Sequence, residues 1–183
     1  MYVITFDIGV KNLAFCYVNV NPDNTFSVLE WNCVSIIDKE TKVKKIGISE
    51  LTDVLLDYLV NNFGNDKPFD YIFIENQPAV MNGLMKSISM VVYTFFKMKK
   101  QGIVQFINAT NKLKCSKNPN KTMKGLSYND RKKLAIQLTK EYLQEKAPEK
   151  IEWFNKIKKA DDYSDTFLYI IYAIENGCIV NIL

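Results

Sequence analysis

The residues of this chain that could do chemistry are acids that follow apolar segments. Asp7 ends the run YVITFD, Glu75 ends YIFIE, and Asp162 and Asp165 stand three residues apart in KKADDYSDTF. An acid at the end of a buried strand is costly to keep ionised unless a cation, a partner or hydrogen bonds meet it. Residues three apart on a helix face the same way. The four acids therefore form one negatively charged site if the three segments meet.

The absence of histidine narrows the chemistry of such a site. It removes serine–histidine and cysteine–histidine nucleophile systems and every histidine metal ligand. Clustered carboxylates raise one another's pKa, and a pair of divalent cations would balance their negative charge. Oxygen ligands select hard cations such as Mg²⁺ or Mn²⁺. Two cations about 4 Å apart could bind a scissile phosphate, one activating water and the other stabilising the leaving 3′ oxygen.

Each acid also has a plain structural explanation. Asp7 could be a turn residue before Gly9, and Asp161, Asp162 and Asp165 could be first-turn acids that complement a helix dipole. The dipole explanation is the favoured one for Asp161. Glu75 is stranger, because glutamate is disfavoured in strands. Together, in a chain without histidine, the four acids Asp7, Glu75, Asp162 and Asp165 are more specific than any one of them.

Basic side chains are concentrated between residues 112 and 133. Against the single acid Asp130, this stretch holds eight of them: Lys112, Lys114, Lys117, Lys121, Lys124, Arg131, Lys132 and Lys133. A solvated surface loop would explain them. Beside a metal site they predict contacts with the phosphates of nucleic acid, whose binding is mainly electrostatic and falls steeply with salt.

The elements that would position these residues follow from hydrophobic periodicity and turn signals. Strands are predicted at Tyr2–Asp7, Leu13–Val20, Phe26–Val34, Asp70–Glu75 and Ile103–Asn108. Helices are predicted at about 49–63, 81–100, 127–146 and 157–175, with Ser49 and Ser127 placed to cap two of them and Gly64 to end the first. Residues 112–125 show no periodicity and are predicted to be a mobile loop.

This order of elements predicts one α/β domain spanning residues 1–183. An antiparallel meander of three strands and two further strands parallel to the first would form a mixed five-stranded sheet with helices on both faces. Parallel neighbours would place Asp7 and Glu75 side by side at the carboxyl edge, where open sheets bind ligands. The composition, 48% hydrophobic and 24% charged, is ordinary for a globular protein.

The cysteines and the apolar segments bear on where the chain works. Cys16, Cys33, Cys115 and Cys178 form no C-x-x-C pair, so a reducing compartment is expected. No segment approaches the roughly 18 apolar residues of a membrane span, and a strand begins at Tyr2. We therefore expect an intracellular protein that is not secreted and has no membrane partner.

Three segments of the chain resemble a known family. FDIGVKNLAF, YIFIENQ and KKADDYSDTF are similar to the acidic motifs of the Holliday junction resolvases of poxviruses and other large DNA viruses. These belong to the RNase H-like superfamily with the RuvC and mitochondrial junction resolvases. The match covers most of the chain in the expected order, although residues 35–68 and 109–128 contribute little.

The resemblance implies an RNase H-like fold and a Mg²⁺-dependent endonuclease that makes paired, symmetric nicks in four-way DNA junctions. It further implies a homodimer with Asp7, Glu75, Asp162 and Asp165 as catalytic, metal-binding acids, and work in the host cytoplasm where virus replicates, or in the nucleus. Mn²⁺ is expected to substitute for Mg²⁺.

The resemblance also suggests a lysine near the phosphate. Lys112, Lys114, Lys132 and Lys133 are all eligible, and Lys114 and Lys132 are favoured. The 81–100 helix has more apolar surface than one sheet contact needs. Its second face, with Met81, Leu84, Val91 and Phe95, is therefore predicted to form the dimer interface.

Three other interpretations remain open. An RNase H-like nuclease could act on other branched DNA, hybrids or RNA, because shape is read without short motifs. DIGVKN is also similar to the phosphate-binding turn of actin-like sugar kinases, but these need two domains and a second glycine-rich turn, and this chain has only seven glycines. No nucleotide cofactor is therefore expected. A binding module that has lost catalysis is disfavoured by the four intact acids.

Overall fold

The five predicted strands form one mixed sheet. The computed structural model describes residues 1–38, 40–43, 46–64, 67–77, 83–118 and 125–179. The strands are β1 (Tyr2–Asp7), β2 (Leu13–Val20), β3 (Phe26–Val34), β4 (Tyr71–Glu75) and β5 (Ile103–Ile107), in the order β3-β2-β1-β4-β5. Pairing is antiparallel in β3-β2-β1 and parallel in β1-β4-β5. The predicted fold class is confirmed.

Helices cover both faces of this sheet. They are α1 (Ile48–Phe63), α2 (Gly83–Lys99), α3 (Tyr128–Lys146), α4 (Ile151–Asn155) and α5 (Ala160–Glu175). The buried residues of α1 and α2 pack on one face, and those of α3, α4 and α5 pack on the other. No helix among the described residues is long and apolar enough to cross a membrane.

The two cores share the central strands because successive strand residues point to opposite faces. Ile4 and Phe6 of β1 belong to the core under α1 and α2, where the ring centroids of Phe6 and Phe63 lie 5.5 Å apart. Val3 belongs to the core under α5, together with Trp31. The four central residues of β1 are therefore buried, on both faces of the sheet.

The helix ends are partly as predicted. Ser127 caps α3, since its hydroxyl accepts a hydrogen bond from the Asp130 amide at 3.2 Å, and the Gly64 amide closes α1 on the Val60 carbonyl at 2.8 Å. The predicted Ser49 cap is wrong. The residue at the cap of α1 is Gly47, which offers no side chain, and Ser49 already lies inside the first turn.

The last helical region differs from its predicted bounds. α5 begins at Ala160, not at residue 157, and the short α4 before it was not predicted. A five-residue helix is too short to show a period of 3.6, so its buried Phe154 gives no helical signal. Residues 81 and 82, at the predicted start of α2, lie outside the described residues.

The prediction of a mobile loop at 112–125 is wrong for the part that the structure describes. A 3₁₀ turn at Asn111–Leu113 buries the Leu113 side chain, and Cys115 and Asn118 are buried as well. The side-chain amide of Asn118 donates to the Leu113 carbonyl at 2.6 Å. Isolated anchors of this kind leave no periodic pattern in a sequence. Residues 119–124, including Lys121 and Lys124, lie outside the described residues.

Candidate active site

The sheet places Asp7 and Glu75 side by side. They are the last residues of β1 and β4, which run parallel with Phe6 paired to Ile74, so the next residue on each strand is the acid. Glu75 is buried and Asp7 is partly buried. The chain therefore holds two carboxylates against each other at the carboxyl edge of its central strands.

Helix α5 brings the other two acids to this edge. It is fixed to the sheet at Thr166, whose carbonyl accepts from the Thr5 hydroxyl at 2.7 Å and whose hydroxyl accepts from the Trp31 indole at 3.2 Å. Asp165 then faces Asp7 and Glu75 closely enough for their charges to interact. Asp162 lies near the start of α5.

A cleft of about 420 Å³ joins these four acids to the basic residues of α3 and the 3₁₀ turn. Its walls are the strand ends, the segment after β5 and the first turns of α3 and α5. They are formed by Asp7, Glu75, Gln77, Ala109, Thr110, Lys112, Leu113, Tyr128, Arg131, Lys132, Asp161, Asp162 and Asp165.

The acids carry more negative charge than their surroundings balance. Burial, together with Glu75 and Asp165, raises the pKa of Asp7 well above its ordinary value, and Lys112 only partly opposes this. Burial raises the pKa of Asp165 to about 6 despite the adjacent Lys112. Burial and the charge of Asp161 raise the pKa of Asp162. A bound cation would lower the cost of ionising all of them.

Two lysines supply the positive charge that is present. Lys112 forms an ion pair with Asp165, and Lys132 forms one with Asp161 at 2.5 Å. Burial alone would lower the pKa of Lys112. The negative charges of Asp165, Glu75 and Asp7 outweigh burial, so the pKa of Lys112 lies above its ordinary value. The structure does not bring the favoured Lys114 to the acids. Its ammonium donates to the Asn111 side chain at 3.0 Å on the exposed surface.

The remaining basic residues of the 112–133 stretch are not all directed to the cleft. Arg131 lines it beside Lys132, whereas Lys133 is exposed and borders a separate hollow on α3. Lys117 pairs with Glu145 at 2.6 Å. Of the eight predicted contacts, the structure therefore brings Lys112, Arg131 and Lys132 to the cleft. Nothing is described for Lys121 and Lys124.

Tyr128 is 66% exposed in the wall of the cleft, where the Lys132 ammonium lies 4.9 Å from its ring centroid. Sequence reasoning missed two further side chains around the acids. The Cys33 thiol is 3.9 Å from an oxygen of Asp162. Tyr169 is buried behind Asp165, one helical turn further along α5. The spacing of four residues from Asp165 is the signal that could have found Tyr169.

The cluster has the chemistry of a divalent-cation site but not its finished geometry. All four acids offer oxygen ligands, and the raised pKa values of Asp7 and Asp165 reflect charge that a hard cation would balance. Among the described residues, no three acidic or cysteine side chains are arranged to hold a metal ion. Lys112 is instead the partner of Asp165. The donor set fits such a cation, provided that these side chains reorient.

Comparison with solved structures identifies the fold. The chain is similar to the fowlpox virus resolvase solved with its substrate Holliday junction DNA, with a TM-score of 0.69 at 20% identity over 98% of this chain and 100% of that one. It is also similar to the yeast mitochondrial Holliday junction resolvase Ydc2, with a TM-score of 0.64 at 16% identity over 94% of this chain and 78% of that one. Thermus thermophilus RuvC, solved with a Holliday junction substrate, gives 0.60 at 12% identity over 97% of each chain. The chain thus has the RNase H-like fold of the junction resolvases.

Sequence comparison places the chain in a family. The family described as Poxvirus A22 protein matches residues 1–176, and the chain belongs to it. Protein L451 of Acanthamoeba polyphaga mimivirus, described as uncharacterized, is 30% identical over 156 residues. That match covers 75% of this chain but 37% of the relative, so the chain spans little more than a third of that protein's length.

Proposed function

We propose that this chain is a DNA endonuclease that resolves four-way junctions by paired hydrolysis of phosphodiester bonds. The observation that carries the proposal is the meeting of Asp7, Glu75, Asp162 and Asp165, from three remote segments, in one cleft with basic walls. Membership of the poxvirus A22 family and similarity in fold to solved Holliday junction resolvases of fowlpox virus and yeast mitochondria support this substrate.

The acids would hold the divalent cations of the reaction. We expect Mg²⁺, with Mn²⁺ as a substitute and two ions in each site, bound by Asp7, Glu75, Asp162 and Asp165. When bound, such ions supply an activated water and stabilise the charge of the leaving oxygen. Asp7 and Glu75 are held by the sheet and would need to move least, whereas Asp165 must part from Lys112.

The basic residues of the cleft would bind and orient the DNA backbone. Among the described residues, Lys112 is the lysine paired with Asp165, and its side chain is 19% exposed against 40% for Lys132. We therefore assign it the contact nearest the scissile phosphate. Lys132 and Arg131 lie further out, on the first turns of α3, and would bind flanking phosphates. Charged hydrogen bonds of this kind position a strand without reading its sequence.

A second copy of the chain would supply the second cut. A junction must be nicked in two equivalent strands, and each chain contributes one acidic cleft. An apolar groove of about 620 Å³ lies between α1 and α2, and its wall includes Val91 and Phe95 of the face predicted for dimer contact. Met98 and Met90 on the same groove are both exposed, and contiguous exposed apolar surface of this kind marks interaction sites. We propose this groove as the homodimer interface.

The test is a nicking assay on three substrates with the purified chain. A mobile four-way junction, a linear duplex and an RNA–DNA hybrid are incubated with Mg²⁺ or with a chelator. We expect symmetric nicks in the junction only, and only with Mg²⁺. Equal cleavage of the hybrid would favour the other interpretation, a nuclease that acts on hybrids, RNA or other branched DNA.

The matched variants are Asp7→Asn, in the cleft, and Asp57→Asn, exposed on α1. Each removes one carboxylate. Asp7→Asn should raise the activation free energy of nicking by about 3 kcal/mol or more, because a ligand of the reacting centre is lost. The nicking rate should therefore fall at least about a hundredfold. Junction binding in chelator should persist, and Asp57→Asn should nick normally. Full nicking by Asp7→Asn would refute the assignment of the site.

A further inference from the structure

The hydroxyl of Tyr169 is buried without a satisfactory partner. The residue is fully buried on α5, and its oxygen has no hydrogen-bond partner among the described residues. The group lies beside the Glu75 carboxylate, close enough for the two to interact, and the Lys112 ammonium is 5.7 Å from its ring centroid. Buried polar groups are nearly always paired, so an unpaired donor next to a carboxylate calls for a functional explanation.

The surroundings of this hydroxyl allow it one role towards the acids. A tyrosine phenol is protonated at neutral pH, and the Tyr169 hydroxyl is buried beside the carboxylate of Glu75. A protonated phenol facing carboxylates is a hydrogen-bond donor. Its position on α5 follows Asp165 by four residues, so one helix face presents both the acid and the donor.

We propose that Tyr169 is a positioning residue that donates a hydrogen bond to the Glu75 carboxylate and fixes which of its oxygens faces the cleft. This inference rests on the proposed function, in which Glu75 is a metal ligand. Groups that orient metal ligands from behind are worth about 10- to 100-fold in metal affinity. The hydroxyl has no partner while Asp165 is paired with Lys112, and it would donate to Glu75 when the acids hold a cation.

The experiment measures Mn²⁺ affinity and stability separately in the full chain without DNA. Mn²⁺ binding is followed by titration calorimetry, and unfolding by urea in the presence of chelator, for the wild type and Tyr169→Phe. We expect Mn²⁺ binding to weaken about tenfold or more in the variant. Stability in chelator should not fall, because the variant removes a hydroxyl that has no partner there.

Tyr142→Phe is the matched control, because its hydroxyl is fully engaged. It donates to Glu175 at 2.6 Å and accepts from the Lys117 amide at 3.2 Å, at the other end of α5. This variant should lose stability and keep its Mn²⁺ affinity. The opposite patterns of the two variants separate a positioning role from a structural one.

Two results would overturn the inference alone. If Tyr169→Phe binds Mn²⁺ as the wild type does, the hydroxyl does not orient a ligand. If the unfolding free energy of Tyr169→Phe in chelator falls by as much as its Mn²⁺ binding free energy, the hydroxyl stabilises the core and does not position Glu75. Failure of the wild type itself to bind Mn²⁺ would overturn the metal site of the proposed function and this inference with it.

Discussion

Replacing Asp165 by asparagine should change how the stability of the metal-free protein depends on pH. Burial raises the pKa of this carboxyl in the folded chain to about 6, against an ordinary 3.8. The folded state therefore binds the proton more tightly than the unfolded state, and stability falls as pH rises from about 4 to about 6. At 1.36 kcal/mol per pH unit, the difference between about 6 and 3.8 corresponds to about 3 kcal/mol at neutral pH.

Urea unfolding in chelator at about pH 4 and about pH 7.5 measures this contribution. The variant minus wild-type difference in unfolding free energy should rise by about 3 kcal/mol between the two pH values. Asp165 is protonated at about pH 4 and ionised at about pH 7.5, so its ion pair with Lys112 contributes only at the higher pH. That contribution is already contained in the pKa of about 6, which Lys112 lowers. Asp57→Asn is the control for charge removal. A difference that does not change with pH would refute the reasoning.

Two further predictions concern the groove and the end of α2. Met98→Glu should give a monomer in sedimentation at micromolar concentration, because it places a charge in the proposed interface. Leu29→Glu, which also places a carboxylate at an exposed apolar position, is the control and should remain a dimer. An unchanged sedimentation coefficient for Met98→Glu would contradict the interface. Gly102→Ala should lower the unfolding free energy by at least about 2 kcal/mol, because φ is +63° and the new Cβ would stand 2.3 Å from the Phe69 carbonyl. Gly83→Ala, with open space, is its control, and equal stability of the two variants would rule out the strain.

The places of the four acids in the fold were predictable because they depend on local patterns. A short apolar run that ends in an acid predicts a buried strand and places the acid at the carboxyl end of that strand, as for Asp7 and Glu75. Spacing along a helix gives the common face of Asp162 and Asp165. The parallel pairing of β1 and β4 follows from chain order and handedness, so the meeting of the two strand ends was predictable too.

The lysine nearest the acids could not be chosen from sequence. Lys112 and Lys114 are two residues apart, and a single 3₁₀ turn decides which of them faces Asp165. The burial of Leu113 sets that turn, and burial of one residue leaves no periodic signal. Tyr169 was hidden for a related reason, since it lies in a helix whose neighbours are almost all apolar and buried.

The acidic and the basic side chains of this cleft are held with different rigidity. Asp7 and Glu75 end strands that are covered on both faces, and α5 is fixed beside them through Thr5 and Trp31. Lys112 and Lys132 come instead from a short turn and from the first turns of a helix, on long side chains with many rotamers. A site that must take in cations and a charged strand needs fixed ligands and counter-charges that can move. In the structure the two lysines pair with acids of the cleft. Under the proposed function they would then turn to the phosphates, so that the same positive charge would serve both states.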